Sequence, residues 1–131
     1  MNNFFLKFAS IAGMLSVILG AFLAHQLKQR MPASAVDVFE TAVRYQFYHV
    51  FALLATGILC EKFKTSWTVR AGNCFIAGII LFCGSLYVIA LLMSNGYTVP
   101  VSLGICTPLG GLGFLLGWIF LTIGVWTGKA S

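Results

Sequence analysis

The chain has 131 residues, enough for a single domain. Of these residues 60% are hydrophobic and 8% are charged, and the mean hydropathy is +0.96. A soluble domain carries roughly 25% charged residues, so the composition excludes a water-soluble globular protein and predicts an integral membrane protein. The formal net charge of +5 comes from cations placed between apolar runs, where they meet lipid headgroups. Basic and aromatic residues do not alternate as they do on a nucleic-acid surface, so no nucleic-acid partner is expected.

The first predicted membrane span covers residues 8–27, which carry no formal charge and are bounded by Lys7 and Lys28. A helix of this length measures about 30 Å, which is the thickness of the hydrocarbon core. A cleaved signal peptide is the alternative. The run is long for the apolar region of a signal peptide, and Phe22 would occupy the −3 position for cleavage after Ala24. We therefore expect a retained helix.

A short amphipathic helix is predicted over residues 32–43, before the second span. Val36, Phe39 and Val43 recur at helical spacing, and the acidic residues lie off that stripe. Such a pattern is typical of a helix that lies in the membrane interface with its apolar face toward the acyl chains.

The second predicted span covers residues 45–60, bounded by Arg44 and Glu61. This segment is barely long enough to cross the hydrocarbon core. We therefore expect the helix to begin somewhat earlier, with Arg44 extending its guanidinium toward the headgroups.

No charged residue occurs in residues 71–128, a stretch too long for one crossing. Turn-forming residues divide it at 94–100, where the backbone can reach water. The third span is therefore predicted over 71–93 and the fourth over 108–127. Thr107 is expected to cap the fourth helix, with the following proline at the first helical position. The predicted fold is an all-α four-helix transmembrane bundle in a single domain.

Four spans place both termini on one side of the membrane, together with the 61–70 loop. That side carries five cations, Lys7, Lys62, Lys64, Arg70 and Lys129, and the opposite side carries three, Lys28, Arg30 and Arg44. Because cytoplasmic loops hold the excess of Lys and Arg, both termini are predicted to be cytoplasmic.

Small residues recur every seven positions in two of the predicted spans. Helices in lipid associate through close backbone approach, which small residues permit, and a spacing of seven favours left-handed crossings. The predicted packing residues are Gly13 and Gly20 in the first span, and Gly110, Gly113, Gly117 and Gly124 in the fourth. The partner helix is expected either within this chain or in a homo-oligomer or larger membrane complex.

Polar residues cluster in the predicted spans, where they are costly and often mark function. The candidate ligand-binding residues are His25, Arg44, Gln46, His49, Ser85, Tyr87 and Thr107. With a span starting at residue 45, His49 lies only about 6 Å along the helix. All seven are therefore predicted in the half of the membrane that faces the 28–44 and 94–106 loops.

Three chemical interpretations of this cluster are open. His25 and His49 could bind a metal or haem, but they have no cysteine or suitable carboxylate beside them. Ser85 could pair with a histidine as a nucleophile, but no buried acid would orient that base. The favoured interpretation is that the histidines hydrogen-bond across helices and that Ser85 bonds a backbone carbonyl. No metal, cofactor or enzymatic activity is expected, and the four cysteines, none in a CxxC pair, are interpreted as apolar packing residues.

Four ordered motifs resemble a known family. They are GAFLAH at residues 20–25, ETAVRYQFYH at 40–49, GSLY at 84–87 and TPLGG at 107–111. Together they resemble the small bacterial inner-membrane proteins grouped as domain of unknown function family 423. One departure is Leu23, where the family pattern has glycine, so helix contact there is expected to be looser. The resemblance implies a four-span protein of the bacterial inner membrane and brings no catalytic residues.

Two functions remain as hypotheses at this point. The favoured one is a non-enzymatic structural, accessory or assembly component that acts through helix packing. The alternative is binding or transport of a small ligand or ion through the polar cluster. Intramembrane enzyme chemistry lacks a suitable constellation of residues.

Overall fold

The computed structural model describes residues 1–130, and these fold into five α-helices. The helices are α1 (Asn3–Phe22), α2 (Ala33–Lys62), α3 (Ser66–Gly78), α4 (Gly84–Ser94) and α5 (Val101–Thr127). A π-helical turn, Leu23–Leu27, extends α1, and a second, Ile79–Cys83, joins α3 to α4 in one rod. No β-strand forms within residues 1–130 beyond a single bridge between Phe63 and Ala130. The all-α prediction is confirmed.

Local chemistry explains where the helices begin and end. Asn2 caps α1 by accepting the backbone N–H of Phe5 at 3.2 Å, and Thr65 caps α3 in the same way. After α4, Gly96 has a φ of +73°, a left-handed conformation that glycine adopts without strain. The N–H groups of Gly96 and Tyr97 then bond the carbonyls of Met93 and Leu92, which closes a Schellman motif.

Three rods within residues 1–130 are long and apolar enough to cross a membrane: Asn3–Leu27, Ser66–Ser94 and Val101–Thr127. These correspond to the first, third and fourth predicted spans. Each begins earlier than predicted, and in the first two rods Lys7 and Arg70 are accommodated within the first turns. α2 is not among the three, since Gln46 and His49 lower its hydropathy.

The predicted interfacial helix over 32–43 is not a separate element. Its residues form the first turns of α2, which runs unbroken from Ala33 to Lys62. No glycine or proline interrupts residues 33–56, so nothing ends the helix at 43. The apolar stripe was identified correctly, but Phe39 and Val43 are buried in the bundle beside Leu23 and Ala90, and so this stripe faces protein.

The predicted start of the fourth span at Pro108 is also wrong. α5 begins at Val101, directly after Pro100, and Pro108 lies inside the helix. Pro100 already supplies the start signal, so Thr107 lies inside the helix and does not cap it. A proline within a membrane helix is tolerated where neighbouring groups accommodate the backbone.

α1 and α2 pack as an antiparallel hairpin with a strict register. A methyl group on each glycine of this seam would contact a side chain of the other helix at 2.8–3.4 Å. The facing pairs are Leu6 with Gly57, Gly13 with Val50, and Gly20 with Val43. Each step is seven residues on both helices, the spacing of a left-handed crossing. Gly13 and Gly20 thus lie at the α1–α2 contact.

α5 packs against the α3–α4 rod in a second antiparallel hairpin. Its glycines face Phe82, Phe75 and Thr68 in turn, again with steps of seven residues: Gly110 with Phe82, Gly117 with Phe75, and Gly124 with Thr68. Gly113 approaches the backbone of Gly78 and the carbonyl of Cys74, each at 3.4 Å from an added methyl group. These glycines therefore lie where the two helix backbones come closest.

The two hairpins meet through a core of aromatic and aliphatic side chains. The fully buried ring of Phe5 on α1 fills the space above Gly72 on α3. Leu53 and Phe75 are buried in the same cluster, between α2 and α3. The result is one bundle in which α2 contacts α1, α3 and α4.

The packing of α5 against the α3–α4 rod predicts that alanine substitutions at two neighbouring glycines have different effects on stability. A methyl group at Gly110 would lie 2.7 Å from the Cα of Phe82, whereas one at Gly111 would lie 3.7 Å from the Phe82 ring. We expect Gly110→Ala to lower the free energy of unfolding in detergent by about 1–3 kcal/mol. Gly111→Ala is the matched control and should be neutral or stabilising by up to about 1 kcal/mol. Equal effects of the two substitutions on thermal unfolding would contradict this packing.

Candidate functional site

Gln46 joins three helices at the centre of the bundle. Its side chain on α2 is 4% exposed. The amide nitrogen donates to the carbonyl of Ala12 on α1 at 2.9 Å, and the amide oxygen accepts the Tyr87 hydroxyl of α4 at 2.6 Å. Ser16 donates to the same Ala12 carbonyl at 2.8 Å. A single amide therefore ties the α1–α2 hairpin to the α4 end of the second hairpin.

Gln46 and His49 lie further along their helix than the sequence predicted. Because α2 begins at Ala33 instead of residue 45, Gln46 and His49 lie about 20 Å and 24 Å along the helix. Ala12, the partner of Gln46, is near the middle of the rod Asn3–Leu27. These two residues thus occupy the middle of the bundle, and their place in the half of the membrane that faces the 28–44 and 94–106 loops stays a prediction.

Ser85 and Thr107 form a second link, between α4 and α5. The Ser85 hydroxyl donates to the Phe82 carbonyl at 2.9 Å, the backbone bond that the sequence predicted. The hydroxyl oxygens of Ser85 and Thr107 lie 2.7 Å apart, and either hydroxyl can donate this hydrogen bond. This pair extends the Gly110–Phe82 seam by three residues along each helix, so it continues the same antiparallel register.

His49 forms the third link, between α2 and α5. Its Nδ1 lies 2.8 Å from the Tyr45 carbonyl, and its Nε2 lies 3.2 Å from Nε1 of Trp118. A carbonyl can only accept and an indole N–H can only donate. The two contacts therefore define a neutral imidazole with its proton on Nδ1.

Aromatic rings enclose this histidine. The Phe114 ring is stacked on the imidazole with centroids 3.5 Å apart and planes at 9°, and Phe75 and Trp118 lie at 5.8 Å and 6.2 Å. Both ring nitrogens are occupied and one face is covered. His49 consequently has no lone pair left for a metal or a haem iron in this arrangement.

The structure does not bring His25 or Arg44 to this network. His25 is exposed on the π-helical turn that ends α1, and its imidazole forms no hydrogen bond with residues 1–130. It lies thirteen residues beyond Ala12, about 20 Å along the helix. Arg44 is exposed as well, and its guanidinium is 3.6 Å from the Glu40 carboxylate one turn away. Among the seven predicted polar residues, the five others form the three links.

No buried side-chain nitrogen or oxygen within residues 1–130 lacks a hydrogen-bond partner. No group of three or more His, Cys, Asp or Glu side chains that could hold a metal occurs in that range. In hydrocarbon an unpaired polar group is costly. The polar side chains here are accounted for by contacts between helices and with helix backbones.

Sequence reasoning missed three partners in these links: Trp118, Phe114 and the Ala12 carbonyl. A signal for Trp118 was present. Tryptophan in membrane helices favours the interfaces, whereas Trp118 falls in the middle of the predicted span 108–127. An indole N–H in the hydrocarbon has no water to bond and needs an acceptor from the protein, and His49 supplies one. The Ala12 carbonyl and the Phe114 ring carry no comparable sequence signal.

The fold and its internal hydrogen bonds define a small, all-helical membrane protein. Residues 19–111 match the family described as "Protein of unknown function (DUF423)", and the chain belongs to this family. The resemblance inferred from the four motifs is thus confirmed. No solved structure gives a significant match to this chain.

Similar proteins span nearly the full length of this chain. It is 36% identical over 120 residues to the UPF0382 membrane protein YwdK of Bacillus subtilis (strain 168), covering 91% of this chain and 93% of the relative. It is 33% identical over 123 residues to the UPF0382 inner membrane protein YgdD of Escherichia coli (strain K12), covering 94% and 89%. A UPF0382 membrane protein of Haemophilus influenzae is 35% identical over 130 residues, 99% of each chain. These names agree with the predicted inner-membrane protein.

The bond between Gln46 and Tyr87 predicts energetic coupling between the two hairpins. In a double-mutant cycle, Gln46→Leu and Tyr87→Phe should be less than additive in unfolding free energy, with a coupling of about 0.6 and at most about 1.7 kcal/mol. Pairing Gln46→Leu with Tyr48→Phe is the control, since Tyr48 is 55% exposed on another face of α2. That control should show no coupling. Additive behaviour in both cycles would contradict the link.

Proposed function

We propose that the chain crosses the bacterial inner membrane four times, with α2 as the remaining span. α2 follows α1 in antiparallel register from Gly57 to Val43, so the two helices occupy the same depth range. The polar side chains that lower its hydropathy, Gln46 and His49, are buried and hydrogen-bonded. Its exposed side includes Phe51 and Ile58, which suit contact with acyl chains.

Contacts at the chain ends support an even number of crossings. The N-terminal ammonium is 3.4 Å from the Glu61 carboxylate at the end of α2. Near the other terminus, Ala130 pairs with Phe63 in the α2–α3 connection. Both ends thus lie at the same end of the bundle as the cation-rich 61–70 loop. By the positive-inside rule, this end is proposed to be cytoplasmic.

We propose that the protein is a non-enzymatic structural, accessory or assembly component of the membrane. The observation that carries this proposal is that the buried polar side chains are occupied by bonds within and between the helices. Such bonds orient helices, and they leave no polar group poised for catalysis in the described residues. Its proposed surroundings are the lipid bilayer and other membrane subunits, either further copies or a larger complex.

The two histidines provide a matched test of this role. His49→Leu leaves the Trp118 N–H without its acceptor, so it should lower the unfolding free energy by about 1–2 kcal/mol and reduce the folded yield. His25→Leu changes an exposed residue and should leave both unchanged. Any growth phenotype should then follow the amount of folded protein.

Purification of the wild type from native membranes in mild detergent completes the test. We expect co-purified protein subunits and no stoichiometric metal or haem. Normal folding of His49→Leu combined with loss of a bound ligand or of ion flux would contradict the structural role and support the ligand-binding alternative.

A further inference from the structure

A cleft of about 520 Å³ opens between α1 and the α3–α4 rod. Its volume lies within the range of small-molecule pockets, roughly 300–1,000 Å³. Side chains of α1 line it from Phe8 to Leu19 along one face of the helix. This wall is about 16 Å long, so the cleft is elongated along the membrane normal. At its rim Ile11 and Ile80 are each 58% exposed, which opens the cleft sideways into the hydrocarbon.

The opposite wall is shaped by an irregular part of the rod. Ile79 and Ile80 belong to the π-helical turn, and Gly84 directly follows it. A methyl group added at Gly84 would meet no atom within 4 Å, whereas one at Gly78 in the same rod would meet the Phe114 ring. π-Helical turns inside α-helices occur frequently at functional sites. The recess therefore depends on the π turn and on the missing side chain of Gly84.

The chemistry of the cleft favours a hydrocarbon occupant. Gln46 and Tyr87 are the polar residues that line it, and they bond each other and the Ala12 carbonyl. No charged side chain lines the cleft. A charged or strongly polar ligand would lose hydration there without gaining a hydrogen-bond partner. An alkyl chain that comes from the bilayer has no hydration to lose. The neutral, elongated shape matches one chain lying parallel to α1.

We propose that this cleft is a lipid site that holds a single acyl chain of a membrane phospholipid between the two hairpins. The acyl chain enters from the bilayer past Ile11 and Ile80 and packs over the hydrogen bond between Gln46 and Tyr87. There it shields this bond from competing polar molecules. The proposal requires only that α1 and the α3–α4 rod lie in the membrane. Its failure would therefore leave the proposed structural function intact.

The test uses the full chain in nanodiscs of phosphatidylethanolamine and phosphatidylglycerol, with a trace of phosphatidylethanolamine that carries a diazirine in its acyl chain. After illumination, adducts mapped by mass spectrometry should concentrate on residues 8–19 and 79–87. Gly84→Leu fills the recess and should abolish this concentration. Gly104→Leu is the matched control, because a methyl group there also meets no atom within 4 Å and the residue lies outside the cleft. This variant should give the same distribution of adducts as the wild type.

Ile80→Trp provides a second way to close the cleft, from an exposed rim position that does not disturb the core. It should reduce the labelling as Gly84→Leu does, even if the glycine variant folds poorly. Labelling spread evenly over the outer faces of α1 and α5 would overturn the proposal. So would unchanged labelling in both cleft variants, or a non-phospholipid lipophile that co-purifies and blocks the labelling.

Discussion

The bundle depends on one constraint: polar groups placed in hydrocarbon must find partners inside the protein. Gln46 meets this constraint by bonding α1 through the Ala12 carbonyl and α4 through the Tyr87 hydroxyl. These bonds can form only if the two hairpins keep a fixed rotation and depth relative to each other. Since apolar contact alone distinguishes poorly between arrangements in lipid, the amide supplies the specificity that the hydrophobic effect supplies in water.

Within each hairpin, close backbone approach sets the register. Glycines spaced by seven face side chains spaced by seven, from Gly13 and Gly20 on α1 to Gly110, Gly117 and Gly124 on α5. The Ser85–Thr107 pair falls in the same register as the α5 glycines. Along the second hairpin, glycine packing and polar pairing thus favour the same register. A sequence specifies one structure when its separate interactions favour the same arrangement in this way.

Much of this architecture could be predicted from the sequence, and the errors have physical causes. Charge-free runs predicted the rods at α1, α3–α4 and α5, because the length of an apolar run is tied to membrane thickness. The periodicity of residues 32–43 predicted a helix correctly but could not show whether its apolar face meets lipid or protein. That misplaced boundary also put Gln46 and His49 in the first turns of their helix, whereas α2 begins at Ala33. The indole partner of His49 depends on a contact across 69 positions of the chain, which a single sequence does not reveal.

The central claim is that α2 crosses the membrane with its polar side chains turned inward, and its topology tests this most directly. In a background without the four native cysteines, Gln29→Cys and Lys64→Cys place thiols just before and just after α2, where both residues are exposed. A membrane-impermeant maleimide added to intact cells should label position 29, and position 64 should react only after the inner membrane is permeabilised. Labelling of both positions from the same side would show that α2 does not cross, and would contradict the account.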